Sequence, residues 1–186
     1  TTNVIPFSEG DIINLLSSYK GIKDGWTFVG WREDNTANSS VLSSKTMGDT
    51  PITLYAVFKA NVTATKYNGS NTASTETLPK YYNNGNVLGA TFTLTQASPS
   101  GWATKRGWNT TLNSYTKTIN DGSKVTITEN ATYYSLYTNT ITVTKWTGNN
   151  VSSKDTGEQW GQFNGTGKVW NPSFTLIEPA FGTWTK

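Results

Sequence analysis

The 186-residue chain offers three kinds of reactive or sticky side chain: 12 carboxylates, 15 lysines and arginines, and 8 tryptophans. It has no histidine and no cysteine. Without those two residue types, Ser-His-Asp and Cys-His nucleophile systems, thiolate metal centres and nearly every zinc site drop out. No Asp-x-Asp-x-Asp-Gly calcium loop occurs either. Two carboxyls alone can hydrolyse a glycosidic bond if they stand about 5–9 Å apart. Glu129 with Glu158 or Glu178 could supply such a pair, while Glu33, Asp34 and Asp121 lie in turn-like surroundings. Isolated carboxylates are ordinarily solvated surface groups. The expectation is therefore a protein with no catalytic residue, no bound metal and no cofactor.

The tryptophans carry more information. Trp26, Trp31, Trp102 and Trp108 each follow a glycine. They read as structural rings buried where glycine allows a close backbone approach. Trp146, Trp160, Trp170 and Trp184 crowd the C-terminal part of the chain. These four are the candidate contact surface, because an indole face can stack on a sugar or anchor another protein surface.

The composition sets the frame that must position these rings. Hydrophobic residues make up 34% and charged residues 15%, and polarity comes from 33 Thr, 17 Ser and 19 Asn. Threonine suits a pleated, half-exposed surface, while asparagine and glycine supply turns. The 24 aromatic residues bring enough apolar area to argue against disorder. A net charge of +3 spread over scattered lysines leaves no basic track for a phosphate backbone, so nucleic acid is not an expected partner. No apolar run approaches the roughly 20 residues that span a bilayer, so membrane insertion is not expected. Absence of cysteine excludes a disulfide framework without excluding an oxidising compartment. A start at Thr1 with no signal peptide reads as a processed chain or an excised fragment.

Extended runs are expected at residues 53–58, 62–67, 90–94, 125–128 and 138–144, with turns at 83–86 and 120–122. One short helix is expected near the N-terminus, over residues 9–20. Ser8 and Asp11 would start it, Ile12, Ile13, Leu15, Leu16 and Tyr19 would form one face, and Gly21 would stop it.

Internal echoes organise these elements. Thr65-Lys66-Tyr67-Asn68-Gly69 returns as Thr144-Lys145-Trp146-Thr147-Gly148, and Tyr81 aligns with Trp160. Gly25-Trp26 through Gly30-Trp31 returns as Gly101-Trp102 through Gly107-Trp108, and Leu54-Tyr55-Ala56-Val57-Phe58 as Tyr133-Tyr134-Ser135-Leu136-Tyr137. A long period shared by separate motifs marks tandem small domains. Residues 1–60 read as the C-terminal part of one unit, 61–139 as a complete unit, and 140–186 as the N-terminal part of a third. Lys66 and Lys145 recur as well, but an isopeptide crosslink would need a neighbouring acid, and none recurs beside them.

Gly25-Trp26-Thr27-Phe28-Val29-Gly30-Trp31, a polar stretch, and Thr53-Leu54-Tyr55-Ala56-Val57-Phe58 resemble the Listeria–Bacteroides repeat, or internalin-type B-repeat. Residues 101–137 carry a weaker version, with Thr104-Lys105-Arg106 ahead of Gly107-Trp108 and Ser135 in place of alanine. The resemblance implies a mainly β, β-grasp-like module strung in tandem on secreted, cell-surface proteins as a stalk, spacer or adhesive region, with no catalytic residues. The expected function is accordingly structural. The alternative is a lectin-like module that uses exposed tryptophans. Expected partners are copies of the chain docking head-to-tail by complementation of half-repeats, adjacent repeats, or a host or cell-wall glycan.

Overall fold

The computed structural model describes residues 6–15, 23–38, 40–146 and 152–177. These residues are mainly β. The strands are β1 (Ile12–Asn14), β2 (Thr27–Arg32), β3 (Ser44–Thr46), β4 (Tyr55–Tyr67), β5 (Ser74–Asn83), β6 (Asn86–Leu88), β7 (Ala90–Leu94), β8 (Thr104–Asn109), β9 (Ser123–Ile127), β10 (Ala131–Trp146), β11 (Ser152–Gln162) and β12 (Lys168–Trp170). The chain divides into two compact units. The first is Thr1–Thr63, Glu76–Phe92 and Thr126–Asn130; the second is Ala64–Thr75, Thr93–Val125 and Ala131–Lys186.

In the first unit β2 runs antiparallel to β4. Phe28 faces Phe58, then the register slips by one residue so that Gly30 faces Val57 and Trp31 faces Ala56. Trp31 also bridges Leu42, and β1 pairs β3. β5 and β6 form a hairpin with Tyr81 opposite Leu88 and Asn83 opposite Asn86. Asn84 (φ 43°) and Gly85 (φ 89°) take the two left-handed positions that a tight two-residue hairpin turn needs.

In the second unit β8 runs antiparallel to β10. Lys105 faces Tyr137, the register slips at Arg106, Gly107 faces Leu136 and Trp108 faces Ser135. Trp108 also bridges Ile119. β10 pairs β11 over its whole C-terminal half, and β11 pairs β12. Residues 64–67, at the end of β4, lie parallel to residues 131–134 at the start of β10.

One order of pairings thus occurs twice. First with third, second with fourth, fourth with fifth and fifth with sixth holds for β1–β6 and again for β7–β12. The bulge has the same place in both β2 and β8 because the glycine before the tryptophan has the same job. A Cβ on Gly107 would run into the carbonyl of Ile119, and one on Gly30 would stand 2.8 Å from Val41. Only glycine lets the following segment cross that close.

The buried residues follow these pairings. Val57, Phe58, Val62, Ala90 and Phe92 are buried in the first unit; Ala64, Leu94, Trp108, Tyr133, Leu136 and Tyr137 are buried in the second. Phe28 meets Phe58 edge-on at 5.8 Å. Trp108 is fully buried and its Nε1 donates to the Leu94 carbonyl at 3.0 Å. Trp26, Trp31 and Trp102 are only half-buried, so burial of all four glycine-led rings holds in full for Trp108 alone.

The N-terminal helix needs correction at its start. Residues 12–14 are a strand paired with residues 44–46, Leu15 is helical, and residues 16–22 lie outside the described residues. Ser8 and Asp11 form a turn rather than a cap: the Ser8 N–H donates to Asp11 Oδ2 at 2.8 Å and the Asp11 N–H to the Ser8 carbonyl at 3.1 Å. Gly10 then donates to the Met47 carbonyl, and Met47 to the Asp11 carbonyl, both at 2.9 Å. β-Branched Ile12 and Ile13 accept a partner strand readily, and that tertiary pairing overrides a weak helical preference.

Candidate contact surface

β11 and β12 bring two of the four candidate tryptophans together. Trp160 and Trp170 are direct cross-strand partners, and both are half-buried. Tyr115, itself 51% exposed, stands against both, with ring centroids 5.7 Å from Trp160 and 5.4 Å from Trp170. The Arg106 guanidinium lies over the Trp160 ring at 5.4 Å, ion-pairs with Glu158, and donates from Nε to Thr138 Oγ1 at 2.9 Å. The result is a three-ring cluster with a charged rim, in which Tyr115 meets Trp160 at 41° and Trp170 edge-on at 66° and Arg106 covers a face of Trp160.

The loop carrying Tyr115 is held by a buried amide. Gln162 Nε2 donates to Asn109 Oδ1 at 2.9 Å, to the Thr111 carbonyl at 2.8 Å and to the Ser114 carbonyl at 3.0 Å. Its Oε1 accepts from the Asn113 N–H at 2.7 Å and from Asn164 Nδ2 at 3.1 Å. Trp102 packs on Gly161, where any Cβ would meet its ring. Tyr115 and Gln162 escaped sequence reasoning, because nothing in the sequence marks Gln162 as more than a polar strand residue.

The other two candidates do not join the cluster. Trp146 is 71% exposed at the end of β10, opposite Ser152. Ser152 is eight residues from Trp160 along β11, or roughly 27 Å at about 3.4 Å per residue. Trp184 lies outside the described residues.

Several of the carboxylates are held in ion pairs or hydrogen bonds. Glu158 pairs with Arg106 and Glu33 with Lys45. Asp34 accepts from Arg32 Nε and Nη2, both at 2.7 Å, and from the Thr36 hydroxyl at 2.6 Å. The Arg32 guanidinium first, and Thr36 next, hold its carboxyl well below the usual carboxylate range. A pocket of about 220 Å³ is lined by Arg32, Glu33, Asp34, Ser40, Val41 and Leu42, and its charged groups are already paired, Arg32 with Asp34 and Glu33 with Lys45. Asp121 accepts from the Gln96 N–H at 2.5 Å. Glu178 lies outside the described residues. Among the described residues, no group of three His, Cys, Asp or Glu is placed to hold a metal, and no helix is long and apolar enough to cross a membrane.

Lys145 Nζ donates to Asp155 Oδ2 at 2.5 Å, across the β10–β11 pair. Asp155 follows Lys145 by ten residues, as Glu76 follows Lys66. The recurring acid is therefore legible in the sequence once the partner strand is sought rather than the adjacent residue. Side chains 29% and 41% exposed make Lys145–Asp155 an ordinary surface ion pair.

Comparison with family models, with curated proteins and with solved structures returned no match.

Proposed function

We propose that the chain is a structural segment of an extracellular surface or fibre protein, built by duplication of one six-strand module. The observation that carries this reading is the twofold occurrence of one pairing order, with its glycine-tryptophan bulge at the same place. Matching details support it. Trp26 packs against Tyr82 at 5.8 Å, where Trp102 packs on Gly161. Asn83 is buried and donates to the Asp34 and Thr36 carbonyls, where Gln162 holds the Thr111 and Ser114 carbonyls. These side chains bind the protein to itself, which is what a spacer requires. A β-grasp-like fold for each module belongs to the same proposal, although the parallel pairing of residues 64–67 with 131–134 joins a strand of one module to a strand of the next.

Phased by the pairing order, the modules fall near residues 12–88 and 90–170. Hydrogen exchange tests this directly: outside residues 64–67 and 131–134 and their counterparts 143–146 and 52–55, β2, β4 and β5 should show the same pattern of protection as β8, β10 and β11. Unlike patterns would sink the duplication. Secretion follows from the reading, and finding the protein at the cell surface is its cellular test.

The second reading, a lectin-like module, is favoured by the Tyr115–Trp160–Trp170 cluster. A glycan array separates the two. Binding that disappears in Trp160→Ala but survives Trp146→Ala would assign the cluster to sugar; a blank array leaves the structural role.

A further inference from the structure

Residues 64–67 and 131–134 pair in parallel, and the pairing follows a simple rule. The end of one fourth strand, β4, lies beside the beginning of the next fourth strand, β10. Tyr67 faces Tyr134 there, and the two rings stack at 5.5 Å with an interplanar angle of 16°. Ser135 locks the junction, since its hydroxyl donates to the Tyr67 carbonyl at 2.5 Å and accepts from the Gly69 N–H at 2.9 Å.

Each half of this junction has a counterpart. Residues 143–146, Val-Thr-Lys-Trp, end β10 as Ala64-Thr65-Lys66-Tyr67 ends β4. Residues 52–55, Ile-Thr-Leu-Tyr, lead into β4 as Ala131-Thr132-Tyr133-Tyr134 opens β10. β11 covers one edge of residues 143–146, with Val143 opposite Asp155 and Trp146 opposite Ser152. No second strand covers them among the described residues, and none pairs with residues 52–54. Trp146, the counterpart of the stacked Tyr67, is 71% exposed.

We infer that residues 143–146 of one chain add in parallel to residues 52–55 of a second copy. Val143 then faces Ile52, Thr144 faces Thr53, Lys145 faces Leu54, and Trp146 stacks on Tyr55. This inference rests on the duplication proposed above and narrows head-to-tail assembly from half-repeats to two short strand ends. Residues 152–170 are already taken up by β10 of their own chain through β11 and β12. The contact is heterologous and leaves a free donor and a free acceptor at the two ends, so further copies add in the same sense until the rotation per copy closes a ring or, where it does not close, extends a filament. Ala56 stands where Ser135 stands, so the hydroxyl lock is missing and the contact between copies is weaker than its counterpart within the chain.

Absence of native cysteine makes the test clean. Facing residues of paired strands fall within disulfide reach. Under mild oxidation, a mixture of Thr144→Cys and Thr53→Cys chains should yield a linked heterodimer, and the double variant a ladder of oligomers. Trp146→Ser added to the donor should abolish the link, and Ala56→Ser added to the acceptor should increase it. Thr144→Cys mixed with Thr72→Cys, an exposed site away from the proposed edge, should stay monomeric. Equal linking to Thr53 and Thr72, or no linking while β2, β4 and β5 keep the exchange pattern of β8, β10 and β11, overturns strand addition and leaves the duplication standing. Loss of that shared pattern overturns both.

Discussion

The loops that follow the two Gly-Trp strands occupy the same place and are held by different chemistry. After Trp31, the Arg32–Asp34 ion pair closes the first loop. Arg32 Nη1 also donates to the Ser40 carbonyl at 2.6 Å, and Asn83 braces the loop from β5. After Trp108, amides take the place of the ion pair. Asn109 Nδ2 donates to the Ser114 and Thr116 carbonyls, and Gln162 braces the loop from β11. The bracing amides also differ in completeness. Gln162 uses both ends of its amide, whereas Asn83 is fully buried with Oδ1 lacking a partner. A buried acceptor without a partner costs stability. Backbone pairing and the glycine bulge are common to the two regions, while the loop is closed by a different polar pair in each.

The largest test of the comparison is its central ring. Trp108→Ala should destabilise the second unit by about 3–5 kcal/mol, in the range for large buried aromatics. Trp31→Ala, removing a half-buried ring, should cost visibly less. Denaturant unfolding of both variants gives the order, and equal losses would refute the asymmetry. Next come the bracing amides. Gln162→Ala strands several buried partners and should cost roughly 2–3 kcal/mol. Asn83→Ala loses two donated bonds but also removes an unpartnered oxygen, so its cost should be smaller. Hydrogen exchange at residues 110–116 and 33–38 would report each loop separately.

Smaller effects come from titration. Burial raises the pKa of Tyr133 and, chiefly through burial, of Tyr137, where the first unit has Leu54 and Phe58. A raised folded value means that this contribution is present below the ordinary tyrosine pKa near 10. It is lost as pH rises through the folded value. Alkaline unfolding should therefore reach the second unit first. Tyr137→Phe should flatten that alkaline loss, although removing the 3.0 Å bond to the Ala97 carbonyl should cost about 1 kcal/mol at neutral pH. A pH profile unchanged by the substitution would contradict the assignment.

The smallest effect is acidic and local. The lowered Asp34 pKa makes its contribution complete above the ordinary carboxylate value near 4. That contribution is lost as pH falls through the folded value. Acid, or Asp34→Ala, should free the Thr36 amide, which donates to Asp34 Oδ1 at 3.1 Å, in an NMR titration and leave residues 110–116 untouched, because no carboxylate lies in residues 109–118.

Composition and pattern by themselves determined that the chain is mainly β, because threonine-rich alternating runs and Asn-Gly turns have few other uses. They also placed the Gly-Trp echoes and the Leu-Tyr-Ala-Val-Phe and Tyr-Tyr-Ser-Leu-Tyr strands, whose aromatic and glycine positions are hard to exchange. Residues 90–94 were legible to the residue, while residues 53–58 and 62–67 merged into the single strand β4. Local signals misjudged Ser8–Asn14, where a distant strand, residues 44–46, outweighed a helix start. Tertiary structure alone decided that Trp160 and Trp170 meet Tyr115, and that Trp146 does not. It also decided that Gln162 braces a loop some fifty residues away and that β4 ends beside the start of β10. The physical reason is common to all of these. Strand partners and buried amides are chosen by nonlocal pairing of backbone and polar groups, and a single sequence writes down each group without saying which other group will satisfy it.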